Sequence, residues 1–311
     1  MTRTTDSDLA PHELRVLVAV ADTGGFSAAA GTLGLTQSAV SHSVRGSERK
    51  IGAVLFERGR AGARPTPAGA AAVAHARRVL RLLDVLVVEA RGAARPDGWE
   101  GPLRIAAFRS AALHLLPPVL ERLRARCPGI EPRVRIVREV GRGTAGEVSD
   151  GRADLAIATL GGPPLAPGLV ARGLFEEPYA LAHPLGHASP RSLPLVDWAE
   201  NCGAHTRAWW AAQDWIPEAT VEAEDDGAVL SLVGAGHGMA VMPALSLAGA
   251  PASVGITSLG PRRPTRQVGY VTTSELAGSA VVRAVVRELR ALGRVVDVPG
   301  EHGEGPVRDP E

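Results

Sequence analysis

A short polar segment between residues 36 and 45 carries side chains suited to reading double-stranded DNA. Its helical spacing places Ala39, Val40 and Val44 on one apolar face. Hydroxyl, amide and guanidinium groups on the other face, without carboxylates among them, can bond base edges and phosphates in a major groove. We therefore predict a helix-turn-helix with DNA-facing residues Ser27, Thr36, Gln37, Ser38, Ser41, His42 and Arg45.

The flanking residues predict where the helices of this motif begin and end. Ser27 can cap the first helix. Gly34 can adopt the left-handed conformation that ends that helix, and Thr36 can cap the second. Upstream, apolar residues recur at the spacing of an amphipathic helix, for which Asp8 is the expected cap. That apolar face consists of Leu14, Leu17, Val18 and Ala21.

A glycine-rich basic stretch follows the motif and is typical of a hairpin tip. Arg58, Arg60 and Arg64 lie within RGRAGAR and could bind backbone phosphates, although a solvated basic loop is the alternative. The charge distribution favours the phosphate role. Residues 1–95 contain 13 Lys and Arg against 8 Asp and Glu, whereas residues 96–311 contain 21 against 25. Only the front of the chain is therefore expected to meet a polyanion.

Polar residues that follow predicted strands form a candidate small-molecule site further along the chain. Hydroxyl, guanidinium and free backbone N–H groups at such strand ends could hold an anion. Two α/β subdomains facing each other would enclose the ligand. Taken singly, each residue is more often just a loop or surface group. The candidate effector-binding residues are Phe108, Arg109, Ser110, Arg142, His205, Thr206 and Arg207.

The segment from Gly141 to Gly146 matches the dinucleotide-binding pattern G-x-G-x-x-G, but its context argues against a nucleotide site. Such a site needs a full helix next, and then a strand that ends in an acid about 20 residues on. Here only a short helix fits before the strand DLAIAT, and no acid follows that strand. A nucleotide-dependent oxidoreductase remains an alternative that rests on this segment alone.

No other pattern requires catalysis, a metal or a cofactor. His183 and His187 are separated by a proline and a glycine, which exclude the helix that would bring both to one metal. Cys127 and Cys202 are the only cysteines and lack metal-ligand spacing. G-x-S-x-G and H-E-x-x-H motifs are absent. We therefore expect a protein that is not an enzyme and uses no cofactor.

A long helix beginning at Thr66-Pro67 is predicted to mediate self-association. Its apolar residues recur at alternating intervals of three and four, as in a heptad seam. About 28 residues would form a rod of about 42 Å, longer than a small domain needs for its core. The alternative is a helix packed wholly on its own domain. The predicted dimerisation residues are Val73, Leu80, Leu83 and Val87, and Val79, Leu82 and Leu86 form a second stripe.

Composition and periodicity divide the chain into four parts. These are a DNA-binding domain at 1–65, a linker helix at 66–95, an effector domain at 96–300 and a disordered tail at 301–311. In the effector domain strands and helices alternate, which predicts a parallel α/β sheet. Subdomain I is expected at about 101–160 and 266–295, and subdomain II at about 161–265. The apolar run from Val16 to Ala21 is too short for an export signal or a membrane span, so we expect a cytoplasmic protein without a membrane partner.

These segments together resemble the LysR-type transcriptional regulators. The resemblance covers about residues 8–295. It is carried by LRVLVAVADTGGFSAAAGTLGLTQSAVSHSVR, IGAVLFERGR, PTPAG, GPLRIAAFRSAALHLLPPVLERLRARCPGI, DGRADLAIA, FEEPYALAHPLGH and LVGAGHGMAVMPAL. It implies an α-rich winged helix-turn-helix followed by two Rossmann-like α/β subdomains similar to type 2 periplasmic binding proteins. It also implies a homodimer or dimer of dimers, whose grip on promoter DNA responds to a small effector. Ser110 and Thr206 match positions on opposite walls of the effector site.

The chain departs from the family pattern within the recognition helix. Ser38 stands where proline is frequent, and His42 stands where arginine is usual, which is expected to weaken a phosphate or guanine contact near neutral pH. Gly46-Ser47 replaces a usual Ala-Leu pair. The leading hypothesis is a regulator that binds DNA and an anionic effector. A solute-binding transport component is a further alternative, because the back half alone would fit one.

Overall fold

The computed structural model describes residues 8–59, 62–94, 101–162, 164–198, 200 and 204–292. The chain divides into two compact units. The N-terminal unit runs to Gly101 and also includes Ser149–Ala153, and the C-terminal unit contains the remaining residues.

The N-terminal unit contains a three-helix cluster, a two-stranded hairpin and a long helix. An apolar core that includes Val20, Val40 and Leu55 joins these elements, and the ring of Phe26 packs edge-on against that of Phe56. The elements are α1 (Pro11–Thr23), α2 (Phe26–Leu33), α3 (Gln37–Ile51), β1 (Phe56–Gly59), β2 (Gly62–Pro65) and α4 (Pro67–Ala94).

The predicted turn between α2 and α3 is confirmed. Gly34 ends α2 with a left-handed φ of 65°, and the Thr36 hydroxyl accepts the N–H of Ala39 at 3.2 Å. The predicted caps Ser27 and Asp8 were both wrong. α2 begins at Phe26, so Ser27 lies inside its first turn and Gly25 is the N-cap residue.

The start of α1 is held by Glu13 instead of the predicted Asp8. The Glu13 carboxylate accepts the N–H of Ala10 at 2.9 Å and the ammonium of Lys50 at 2.8 Å. Burial alone would raise the pKa of Glu13, but Lys50 and the Ala10 N–H lower it below its ordinary value. The stabilisation from this pair is therefore present at neutral pH and is lost as the pH falls through the lowered pKa. The chain's one lysine thus fixes α3 against α1.

Two glycines allow the hairpin and α4 to approach their neighbours closely. Gly62, at φ 105°, begins β2, and a Cβ there would lie 2.2 Å from the carbonyl oxygen of Gly24. A Cβ at Gly69 would lie 1.9 Å from the carbonyl oxygen of Leu55. Thr66 caps α4, at the point where the sequence predicts that this helix begins, because its hydroxyl accepts the N–H of Gly69 at 3.0 Å.

The long helix α4 spans the 28 residues that the sequence predicted. Its first turns pack on the N-terminal core, where Val73 is buried. Beyond that point apolar side chains are exposed, with Leu86 63% accessible. These residues are Val79, Leu82, Leu86 and Val87.

The C-terminal unit alternates strands and helices. Its helices are α5 (Arg109–His114), α6 (Leu116–Arg126), α7 (Gly143–Ser149), α8 (Ala204–Ala211), α9 (Asp226–Gly234), α10 (Ala244–Leu247), α11 (Ser274–Ala277) and α12 (Ala280–Ala291). Its strands are β3 (Gly101–Ala107), β4 (Ile130–Ile136), β5 (Leu155–Leu160), β6 (Leu169–Pro184), β7 (Leu195–Trp198), β8 (Ala219–Ala223), β9 (Ala240–Pro243), β10 (Val254–Ser258) and β11 (Thr265–Thr273).

The sheet is mixed, so the prediction of a parallel sheet was wrong. Within the described residues the strand order is β10-β6-β11-β5-β3-β4, with β9 also paired to β6, while β7 and β8 form a separate parallel pair. β3 and β5 are parallel, but β11 is antiparallel to both β5 and β6. The reason is that β11 returns from a late part of the chain and inserts between two earlier strands. The alternating sequence pattern carries no information on that insertion.

One strand, β6, belongs to two parts of the sheet. Its first ten residues pair with β11, whereas its last residues pair with β9 and β10. The two parts meet near Glu177-Pro178, where Glu177 is fully buried. The sequence placed all of 161–265 in subdomain II, but residues 169–178 lie in the sheet with β11 and β5.

Alternating apolar residues predict a strand at 133–140, but the corresponding strand, β4, begins at Ile130 and ends at Ile136. The sequence pattern does not predict β7 or β10. The predicted disordered tail at 301–311 lies outside the described residues.

Glycine substitutions in the N-terminal unit test these close approaches. We expect Gly69→Ala to lower the free energy of unfolding by about 1–3 kcal/mol, because the backbone must shift to accommodate a methyl group. Gly46→Ala should instead stabilise by about 1 kcal/mol, since a Cβ at Gly46 in α3 would meet only Glu13, at 3.8 Å. Calorimetric unfolding of the full chain measures both effects, and equal effects of the two variants would contradict the packing described.

Candidate DNA-binding face and effector site

The outer face of α3 exposes most of the residues predicted to contact DNA. These are Thr36, Gln37, Ser38, His42 and Arg45, and Ser27 in α2 is also exposed.

Ser41 is the exception on this face. Only 7% of its surface is accessible, although helical spacing placed it among the polar residues. Ala39, predicted on the inner face, is exposed instead.

The hairpin that follows α3 is the predicted wing. In this hairpin β1 and β2 are antiparallel, with Phe56 paired to Pro65 and Gly59 paired to Gly62. Arg64 is exposed on β2. Arg60 and the side chain of Arg58 lie outside the described residues.

The second candidate site centres on Arg109, at the start of α5. Its guanidinium donates to the carboxylate of Asp226 and lies 3.6 Å from that of Asp225, both at the start of α9. Asp226 is the main cause that raises the pKa of Arg109 above its ordinary value. The pair therefore connects the two sets of strands and helices that the sequence placed in different subdomains.

Phe108, directly before Arg109, contacts a buried ion pair. The guanidinium of Arg266 lies 4.7 Å from the centre of the Phe108 ring, and its Nε donates to Glu177 at 2.6 Å. The second Glu177 oxygen accepts the N–H of Leu245 at 2.7 Å. Burial alone would lower the pKa of Arg266, but the Glu177 carboxylate raises it above its ordinary value.

The other predicted effector residues are in varied environments. Ser110 and Thr206 are buried, at 3% and 1% accessibility, on α5 and α8. Arg142 is exposed before α7. The side chains of His205 and Arg207 lie outside the described residues. The described structure thus links Phe108 and Arg109 to a common group of charges.

The G-x-G-x-x-G segment forms a turn and the start of α7, where a protein carboxylate occupies the place of a phosphate. The two Glu139 oxygens accept the N–H groups of Thr144 and Thr159, at 2.9 and 2.8 Å. A Cβ at Gly143 would lie 2.6 Å from this carboxylate. The glycine therefore admits Glu139, which satisfies the N–H group that a nucleotide would need.

A second ion pair lies near Arg109. Arg138 donates to Glu200 at 3.3 Å. Burial raises the pKa of Glu200, and the Asp226 carboxylate adds to that rise, although Arg138 and the Glu139 N–H oppose it. Asp226 and Glu200 therefore lie within electrostatic reach of each other.

Sequence reasoning missed the acidic side of this site. Asp225 caps α9 by accepting the N–H of Ala228 at 2.9 Å, so the Asp225-Asp226 dipeptide before an apolar run carried a detectable capping signal. The pairing of Asp226 with Arg109, which lies 117 residues earlier in the chain, left no local signal in the sequence. Glu177 and Arg266, 89 residues apart, were likewise undetectable.

Among the described residues, no group of three or more His, Cys, Asp or Glu side chains is placed to hold a metal ion. None of the described helices is both long and apolar enough to cross a membrane.

Comparison with known families assigns both units. The bacterial regulatory helix-turn-helix model of the lysR family matches residues 11–70, and the LysR substrate binding domain model matches residues 96–294. The chain belongs to the LysR family. It is therefore a transcriptional regulator with an effector-binding domain, and the expectation that it is not an enzyme is confirmed by this membership.

Individual LysR-family relatives extend over nearly the whole chain. The "Probable HTH-type transcriptional regulator LrrA" of Synechococcus elongatus is 35% identical over 299 residues, which cover 90% of this chain and 99% of the relative. A full-length OxyR variant from Pseudomonas aeruginosa superposes with a TM-score of 0.70 at 21% identity, covering 91% and 95% of the two chains. Full-length CbnR, solved with its target DNA, has a TM-score of 0.63 at 22% identity, covering 91% and 99%. These structures confirm the predicted fold class.

The buried Glu177–Arg266 pair generates a stability prediction. Glu177→Gln removes the charge that compensates Arg266, so we expect the unfolding free energy to fall by about 3–5 kcal/mol. Glu176→Gln is the matched control, because the neighbouring Glu176 is exposed, and it should cost about 1 kcal/mol or less. Denaturant unfolding of the full chain measures both variants. Equal losses of unfolding free energy in the two variants would contradict the stabilising role of the buried Glu177 carboxylate.

Proposed function

We propose that this regulator binds double-stranded promoter DNA through α3, with the wing on adjacent phosphates. The observation that carries the proposal is the exposed face of α3, where Gln37, Ser38, His42 and Arg45 offer hydrogen-bonding groups without a carboxylate between them. Arg64 on the wing adds positive charge beside this face. CbnR, a structural neighbour, was solved with its target DNA, which supports the same mode here.

The protein acts as a homodimer, and two dimers can assemble further. The support is the apolar stripe of α4, which the core of its own unit leaves exposed at Val79, Leu82 and Leu86. Leu80 and Leu83 lie half-buried beside this stripe. A second copy of α4 would cover these side chains. Such a dimer would present two recognition helices to two half-sites of an operator.

A small effector with an anionic group binds where α5 meets α9 and modulates promoter binding. The support is the half-exposed guanidinium of Arg109, 40% accessible, next to the buried Ser110. A bound ligand that bonds groups on both helices would change how the two sets of strands are held together. The solved LysG of Corynebacterium glutamicum holds arginine as its effector, which shows that related folds accept small charged metabolites.

DNA binding is tested by fluorescence anisotropy with duplexes from upstream of this gene and its neighbours. We expect tight, salt-sensitive binding to at least one of these duplexes. Arg45→Ala should weaken it about tenfold and reduce the salt slope by about one ion. Arg15→Ala removes the same charge from an exposed position on α1 and should leave the affinity unchanged. Equal affinities of all three proteins would refute the role of α3.

Self-association is tested by sedimentation velocity. The double variant Leu82→Asp, Leu86→Asp places two charges on the exposed stripe, and we expect it to sediment as a monomer at concentrations where the wild type is a dimer. Leu185→Asp is the control, since Leu185 is 67% exposed in the C-terminal unit, far along the chain from α4. If the double variant remained dimeric, the contact would have to lie elsewhere.

A further inference from the structure

The surroundings of Arg109 contain more negative than positive charge. Among the described residues, Arg109 and Arg138 face three carboxylates, those of Asp225, Asp226 and Glu200. Each arginine already has an acidic partner. A ligand carrying only negative charge would therefore enter a site whose net charge repels it.

Loss of the ion pair between Arg109 and Asp226 makes the binding of a purely anionic ligand still less favourable. An anion that takes over the Arg109 guanidinium leaves Asp226 without its cation. The Asp226 side chain is only 9% exposed, so water cannot replace that partner fully, and a buried unpaired carboxylate is strongly unfavourable. A ligand avoids this cost if it brings its own cation to Asp226.

The geometry at α9 has room for such a cation. The Arg109 guanidinium lies directly on the backbone of Gly227, where a Cβ would be 2.6 Å from Nη2 and 2.7 Å from Nη1. No side chain separates it from Asp226, and Asp225 lies beside it. If the Arg109 guanidinium turns away from Asp226, this position is open to an ammonium group of the same charge and smaller size.

Unsatisfied polar atoms lie deeper in the same region. Arg266 Nη2 and Thr159 Oγ1 are buried and have no hydrogen-bond partner among the described residues. Thr159 pairs with Val268, two residues beyond Arg266 on β11, so both side chains lie on one face of the sheet. Arg266 also contacts Phe108, the neighbour of Arg109. These donors lack an acceptor that ligand oxygens would supply.

We propose that the effector is a zwitterion of the α-amino acid type. Its ammonium group takes the place of the Arg109 guanidinium on Asp225 and Asp226, and its carboxylate is bound by the released Arg109 and the buried N–H of Arg266. This inference rests on the proposed effector site at the junction of α5 and α9. It adds a requirement for positive charge to the anionic group proposed above.

The test uses matched ligands on the full-length protein. Each α-amino acid is compared, by thermal shift and calorimetric titration, with the carboxylate that lacks its amino group and the amine that lacks its carboxylate. We expect at least one amino acid to bind, and both of its truncated analogues to bind at least about tenfold more weakly. A carboxylate that binds as tightly as its amino acid would overturn the proposal, as would a panel in which no amino acid binds. This comparison needs no variant.

Substitution of the acid identifies the group that selects the ammonium. Asp226→Asn should reduce the preference for the amino acid over its carboxylate at least about tenfold. Glu224→Gln, at an exposed neighbouring position, should leave it unchanged. An unchanged preference in a folded Asp226→Asn protein would refute the role of Asp226. If a simple carboxylate binds as tightly as the amino acid and alters DNA binding, the regulator proposal stands and only the zwitterion proposal is rejected. If the protein does not bind DNA, the regulator proposal is rejected whichever ligand binds.

Discussion

The C-terminal unit depends on one buried carboxylate at the point where β6 passes from one part of the sheet to the other. Glu177 accepts from Arg266 on β11 and from the first turn of α10, so it holds both partners at the crossing. Arg266 in turn supports the ring of Phe108, which fixes the start of α5 and with it Arg109. A continuous set of contacts therefore runs from the interior of the sheet to the ion pair with Asp226.

The parts of the fold that local sequence could predict are those determined by neighbouring residues. Gly34 and Thr36 delimit the recognition helix, and Thr66 and Pro67 start α4, because capping and φ preferences act over three or four residues. The family resemblance extended this reach to the order of the domains. The exposed face of α3 followed from periodicity, apart from Ser41, which is buried, and Ala39, which is exposed.

What the sequence could not predict depends on contacts between distant segments. The insertion of β11 between β5 and β6, the Glu177–Arg266 pair and the Arg109–Asp226 pair all join residues about 90 or more positions apart. Sequence reasoning singled out Arg109 by its place after a strand, but the acidic partner of this arginine changes its chemistry. A free arginine predicts an anion site, whereas an arginine held by two aspartates does not act as a simple anion receptor.

The two ion pairs of the C-terminal unit differ in how exposed their side chains are, and this difference suits them to different roles. Both side chains of the Glu177–Arg266 pair are nearly inaccessible, at 0% and 11%, so no ligand or water can replace either partner without unfolding the crossing. In the Arg109–Asp226 pair the carboxylate is buried but the guanidinium is 40% exposed. The arginine can therefore leave while the acid stays. In the proposed effector site, exchange of the Arg109 cation for one carried by a ligand would keep the buried acid neutralised. The exposed pair is therefore suited to report a ligand, and the buried pair is suited to hold the fold.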